Sequence, residues 1–172
     1  RDDAIYVAQI YASVLGGGMS SRLFQEIREK RGLVYSVYSF SSHYVDGGLF
    51  SIYAGTGPDD LPELMPVMCD ELKRATVDLT EEEVNRARAQ LKAMVVMGME
   101  SNSARCETLA RQIQVHGGPQ TIPEIIEKIE AVDLNKVRAA GEALISGKPT
   151  VTALGPVAKM PEYDTLVDRL RG

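Results

Sequence analysis

The chain has 172 residues, 44% of them hydrophobic and 25% charged, with a formal net charge of −5. That composition fits one globular domain, or one large half of a bigger unit, and it excludes the broad basic face that nucleic-acid binding needs. No run of about 18 apolar residues is present to span a membrane, and Cys69 and Cys106 form no CxxC or Cys/His cluster, which excludes a cysteine zinc site.

Residues 3–15 carry Ile5, Ala8, Ala12 and Leu15 at helical spacing, with Asp2 or Asp3 as cap. Gly16–Gly18 stop that helix. Ser20 or Ser21 then caps a second one over about 21–31, whose apolar stripe is Leu23, Phe24, Ile27 and Arg31, and Gly32 ends it. The period changes to strand over 34–43. VDGG at 45–48 marks a turn, and 49–56 returns with Leu49, Ser51 and Tyr53 on one face and Phe50, Ile52 and Ala54 on the other.

Helices follow. Residues 61–77 place Leu61, Leu64, Met65, Met68 and Leu72 on one face, with Pro66 either a local kink or a proline of the N-terminal turn. TEEE at 80–83 is a capping box. It opens a helix to about Met99 with Val84, Ala87, Leu91, Met94 and Val95 inward. Ser103 starts another, with Cys106, Leu109, Ala110 and Ile113 inward, ending at Gly117-Gly118. Thr121-Ile122-Pro123 opens a short helix, Asp133 caps one that ends near Gly147, PTVTALG at 149–155 reads as a last strand, and one or two helical turns close the chain.

Strands and helices are segregated, so the expected fold is α+β, an antiparallel sheet packed against helices. One domain over 1–172 is expected, and so small a sheet suggests a further strand upstream. The opening Arg1 is what a processed product or a piece of a longer protein would show.

Little in the chain has the pattern of known chemistry. His43 and His116 lie far apart, with no HxxEH in either direction, so no catalytic metal is expected on this chain. The cysteines read as small buried hydrophobes, and no G-x-S-x-G elbow appears. GGGMSS before a helix lacks the P-loop lysine. It reads as a helix–helix connection, or as a place where a peptide backbone approaches closely over Gly16, Gly17 and Gly18. Arg28 sits at the end of its helix and Tyr35 seven residues on, with Gly32 turning the chain between them. They are either a helix-end arginine and a half-buried tyrosine, or two donors converging on a carbonyl oxygen that gains negative charge.

LGGGMSSRLFQEIREKRGLVYSVYSF (15–40), GLFSIYAGT (48–56) and LTEEEVNRARAQLKAMVVMGMES (79–101) closely resemble the C-terminal half of the pitrilysin/insulinase zinc metallopeptidases, the mitochondrial-processing-peptidase type and its bacterial relatives. The resemblance implies a half-unit of a two-half clamshell whose zinc, inverted HxxEH motif and general base lie in an N-terminal half. This half would carry no metal, close over the chamber and supply Arg28 and Tyr35 to the substrate, with Gly16–Gly18 and Tyr38 beside them. The implied partners are that catalytic half, on the same or a separate chain, and an extended peptide. A missing edge strand would favour a homodimer. The implied compartment is bacterial cytoplasm or mitochondrial matrix. A non-catalytic scaffold subunit of the same fold and an independent peptide-binding module are the alternative functions.

Overall fold

The computed structural model describes residues 4–44 and 46–172, with the backbone alone at His116. The expected Asp2–Asp3 cap, Val45 of the turn and the His116 side chain lie outside the described residues. The elements run α1 (Ala4–Gly16), a π-helix (Phe24–Glu29), β1 (Ser36–His43), β2 (Gly48–Gly55), α2 (Leu61–Val77), α3 (Glu81–Gly98), α4 (Asn102–His116), α5 (Ile122–Glu130), α6 (Leu134–Ser146) and α7 (Tyr163–Arg171).

The sequence of α1, AIYVAQIYASVLG, is apolar almost all round, as a helix covered on several sides must be. It packs on β1, α3 and α6, and Ile10, Tyr11 and Leu15 are fully buried. Leu23, Ile27, Leu64, Leu79, Val84, Ile129 and Val137 join them in one core. A smaller cluster around Cys69, Leu166 and Leu170 seats α7 against α2.

The hairpin pairs antiparallel from Ser36 opposite Gly55 to His43 opposite Gly48. Its alternation follows the sequence. Val37 and Ser39 are buried, and Phe50, Ile52 and Ala54 pack on the core. Tyr38, Phe40, Leu49 and Tyr53 face outward and are exposed. Gly16 is where α1 crosses this sheet most closely. A Cβ there would fall 2.3 Å from the Ser39 backbone nitrogen. The Ser39 hydroxyl ties the same crossing, donating to the Ala12 carbonyl at 2.7 Å.

The helix starts follow local chemistry. Thr80 with Glu83 and Thr121 with Glu124 form reciprocal capping boxes, and Asp133 Oδ1 accepts from the Lys136 N–H at 2.8 Å.

Several expectations are corrected. The helix over 21–31 is a π-helix at its centre. The Lys30 N–H reaches the Gln25 carbonyl five residues back, which widens the turn. Ser21 accepts no capping bond among the described residues, its hydroxyl instead donating to the Gly18 carbonyl at 2.6 Å; Arg31, placed in the apolar stripe, is exposed. The face of α4 expected inward is open: Cys106 and Ala110 are exposed, Leu109 and Ile113 are 46% and 50% exposed, and the helix begins after a Ser101 cap. Met94 on α3 is likewise exposed. Residues 149–155 form no strand, since a β-rich segment becomes one only when a neighbour supplies the matching amides and carbonyls.

Candidate functional site

Arg28 occupies the last turn of the π-helix. Gly32 follows in a left-handed conformation, φ +67°, which glycine adopts without a Cβ penalty. The turn lets Gly32 N–H and Leu33 N–H bond back to the Arg28 and Ile27 carbonyls, both at 3.0 Å. Leu33 and Val34 are buried and anchor the connection. The Thr56 hydroxyl donates to the Leu33 carbonyl at 2.6 Å. The Tyr35 N–H donates to the Gly55 carbonyl at 2.8 Å, extending the ladder by one residue. The Tyr35 backbone is therefore fixed from both sides, while its side chain is 86% exposed. This corrects the alternative in which Tyr35 is half-buried.

The two side chains meet. The Arg28 guanidinium carbon stands 6.0 Å from the Tyr35 ring centroid and 4.8 Å from that of Phe24, within cation–π reach of both. Its basic neighbours are already paired. Lys30 and Arg31 both bond Glu26 at 2.7 Å, and the Lys30 hydrogen bond holds the Glu26 carboxyl below its ordinary range. Arg28 has no carboxylate partner among the described residues, so its donors remain available. Beside Tyr35 an open groove of about 500 Å³ runs between residues 32–35, Gly55–Gly57 and Asp60.

The other expected site residues fall elsewhere. Tyr38 stacks on Tyr53, ring centroids 5.0 Å apart, on the exposed face of the hairpin. Gly16–Gly18 have internal work: Gly16 lets α1 approach β1, the Gly17 carbonyl accepts from Gln90 Nε2 at 2.6 Å, and the Gly18 carbonyl accepts from Ser21. The cleft next to Gly17 and Gly18 encloses only about 10 Å³. His43 Nε2 lies 3.0 Å from the Ser41 hydroxyl, and burial lowers its pKa. Cys69 is buried, as expected, against the Leu166 carbonyl. Among the described residues no three His, Cys, Asp or Glu side chains gather to hold a metal ion.

Sequence reasoning missed Arg22. It is 12% exposed and meets both Asp78 and Glu83. Nothing local signals a partnership across 61 residues.

A family model described as "Peptidase M16 inactive domain" matches residues 1–91. The chain belongs to this family. Among curated relatives, the M16 inactive domain is 36% identical over 157 residues to an uncharacterized zinc protease of Streptomyces coelicolor, covering 91% of this chain and 34% of that protein. It is 34% identical over 160 residues to the uncharacterized zinc protease YmxG of Bacillus subtilis, covering 92% of this chain and 39% of that one. The chain thus spans little more than a third of the length of these relatives. Among solved structures, a chain in "Complex III2 from Candida albicans, Inz-5 bound" superposes with a TM-score of 0.87 at 20% identity, over 99% of this chain and 43% of that one. A conserved protein from Enterococcus faecalis V583 gives 0.72 at 22% identity, over 82% and 33%. At those identities the likeness is one of fold, α+β with an antiparallel sheet against helices. No described helix is long and apolar enough to cross a membrane.

Proposed function

We propose that this M16 inactive domain is the substrate-facing, non-catalytic half of a zinc-dependent endopeptidase, and that Arg28 and Tyr35 contact the peptide at its scissile carbonyl. The observation that carries the reading is the exposed pair itself. A guanidinium without a carboxylate partner and a phenolic hydroxyl stand together on a braced backbone, within a family whose relatives are named zinc proteases. Both are hydrogen-bond donors, and neither has to leave another protein partner to reach a peptide oxygen. Donors fixed before the reaction stabilise an oxyanion without reorganising. Zinc belongs, in this reading, to a catalytic half that pairs with this chain. Tyr38, on the same hairpin, would lie under the peptide, whose main chain could add to the sheet edge.

The test is Tyr35→Phe in the assembly that carries the zinc half. Loss of one oxyanion donor lowers kcat on the order of 100-fold with KM little changed, and Tm stays where it was because the hydroxyl is exposed. An unchanged kcat removes Tyr35 from the chemistry. Unchanged activity in both Tyr35→Phe and Arg28→Ala would favour the scaffold reading.

A further inference from the structure

Arg28 is held by rings and not by carboxylates. Lys30 and Arg31 on either side of the same turn are tied to Glu26, whereas the Arg28 side chain makes no ion pair or hydrogen bond among the described residues. Its guanidinium carbon stands 4.8 Å from the Phe24 ring centroid and 6.0 Å from that of Tyr35. The two rings are not equivalent. Cation–π attraction reaches to about 6 Å from the ring centre, so the Tyr35 contact sits at the edge of the range and the Phe24 contact well inside it. Tyr35 is exposed. Phe24 is half-buried and packs against the core that holds Leu23 and Ile27, and the attraction strengthens where water is excluded. Phe24 opens the π-helix and Arg28 stands four residues on, in its last turn, which makes them neighbours on the helix surface.

We infer that Phe24 is the positioning residue for Arg28: its ring fixes the guanidinium beside Tyr35 before a peptide arrives. The inference rests on the role proposed for Arg28 at the peptide carbonyl. A free arginine side chain samples many rotamers, and freezing them on binding weakens the contact it makes. A carboxylate partner would also fix Arg28, but it would occupy the N–H donors that a peptide oxygen needs. A ring meets the flat face of the guanidinium instead, and the donors lie in the plane of that group, clear of the ring. Because the closer ring is that of Phe24, the exposed Tyr35 side chain can turn toward a substrate oxygen without releasing Arg28.

The test uses the assembly that carries the zinc half, labelled with nitrogen-15 arginine, and reads both the Arg28 Nε–H resonance and turnover. In the wild type that proton lies upfield of a free arginine, shifted by the ring beneath it. Phe24→Leu returns it toward the free position and lowers kcat/KM about two- to fivefold, the range of a cation–π contact at an exposed site, and Phe24→Tyr restores both. Phe24→pentafluorophenylalanine keeps the ring's shape and reverses its quadrupole. It lowers kcat/KM as the leucine does, which separates the attraction from simple packing if Phe24→Leu lowers Tm. In an Arg28→Ala background neither change at position 24 costs anything further. An Arg28 resonance that ignores Phe24→Leu, a pentafluoro variant with wild-type kcat/KM, or an equal loss with and without Arg28 overturns the inference and leaves the proposed function standing. Wild-type turnover in Arg28→Ala itself removes the role proposed for Arg28, and the inference falls with it.

Discussion

Arg22 and Glu83 grip each other with two bonds, Nε to Oε1 at 2.6 Å and a terminal guanidinium nitrogen to Oε2 at 2.8 Å. Glu83 also closes the capping box of α3 on Thr80, and Arg22 bonds the Asp78 carboxylate and carbonyl. One side chain therefore staples the entrance of the π-helix to the junction of α2 and α3. Burial alone would raise the Glu83 pKa. The hydrogen bonds from Arg22 and Thr80 outweigh it and bring it down to about 2 from 4.5. A depressed carboxylate contributes stability that is fully present above its unfolded value and lost as pH falls through the folded one. The window is thus about pH 4.5 down to 2, and because solvent screens a pair that is only partly buried, about 1 kcal/mol is at stake. Denaturant titrations across that range should show stability falling in the wild type and a flatter profile in Glu83→Gln. Parallel profiles would mean the pair contributes nothing.

Gly16→Ala should be among the most damaging small substitutions in the chain. The added methyl carbon would sit 2.3 Å from the Ser39 nitrogen and 2.8 Å from the Tyr38 carbonyl carbon, both backbone atoms that cannot swing aside. α1 would have to lift from β1, breaking the 2.7 Å bond from Ser39 to Ala12. Overpacking a tight core typically costs about 1–3 kcal/mol, and a backbone clash belongs at the upper end or beyond. Thermal unfolding reads it directly, and an unchanged Tm would show that the two elements can separate freely.

Tyr11→Phe should be neutral or stabilising. The ring is fully buried, packs 5.4 Å from Phe50 and lies against Gly141 of α6. Its hydroxyl has no hydrogen-bond partner among the described residues, and burial pushes its pKa upward, so it stays neutral. Removing an unsatisfied buried hydroxyl relieves a desolvation penalty of about 1–3 kcal/mol. A clear loss of stability would reveal a partner for that oxygen. Gly141→Ala is the contrasting change, since its Cβ would meet the Tyr11 ring at 2.8 Å.

The capping box at Thr80–Glu83, the hairpin alternation, the core face of α2 and, apart from Met94, that of α3 were legible because each is written locally, in the spacing of a few residues. Arg28 and Tyr35 were legible as a pair because only seven residues and one glycine separate them. What failed depends on partners. The stripe Cys106, Leu109, Ala110, Ile113 has sound helical spacing, but periodicity records which face could be covered and not whether anything covers it. The same holds for 149–155. The π-turn at 24–29 leaves no mark in hydrophobic spacing, because one inserted residue keeps Leu23 and Ile27 inward.

Those uncovered surfaces have a consequence for association. The described sheet has two strands, so each offers a free row of amides and carbonyls. Its outer face exposes Tyr38, Phe40, Leu49 and Tyr53. Residues 149–155, rich in β-formers, lie unpaired with Leu154 wholly exposed. Open edges of that kind pair with other chains unless charge or proline blocks them, and the hairpin face carries neither. The isolated chain should therefore self-associate as its concentration rises, seen as a shift in sedimentation coefficient. Phe40→Lys, on the exposed face of β1, should restore the monomer with little loss of stability, and Leu154→Lys should do the same if the unpaired segment supplies the second strand. A chain that stays monomeric at high concentration would show that these edges are closed to pairing, and association that survives both lysines would place the contact on another face, with the open stripe of α4 the next to substitute.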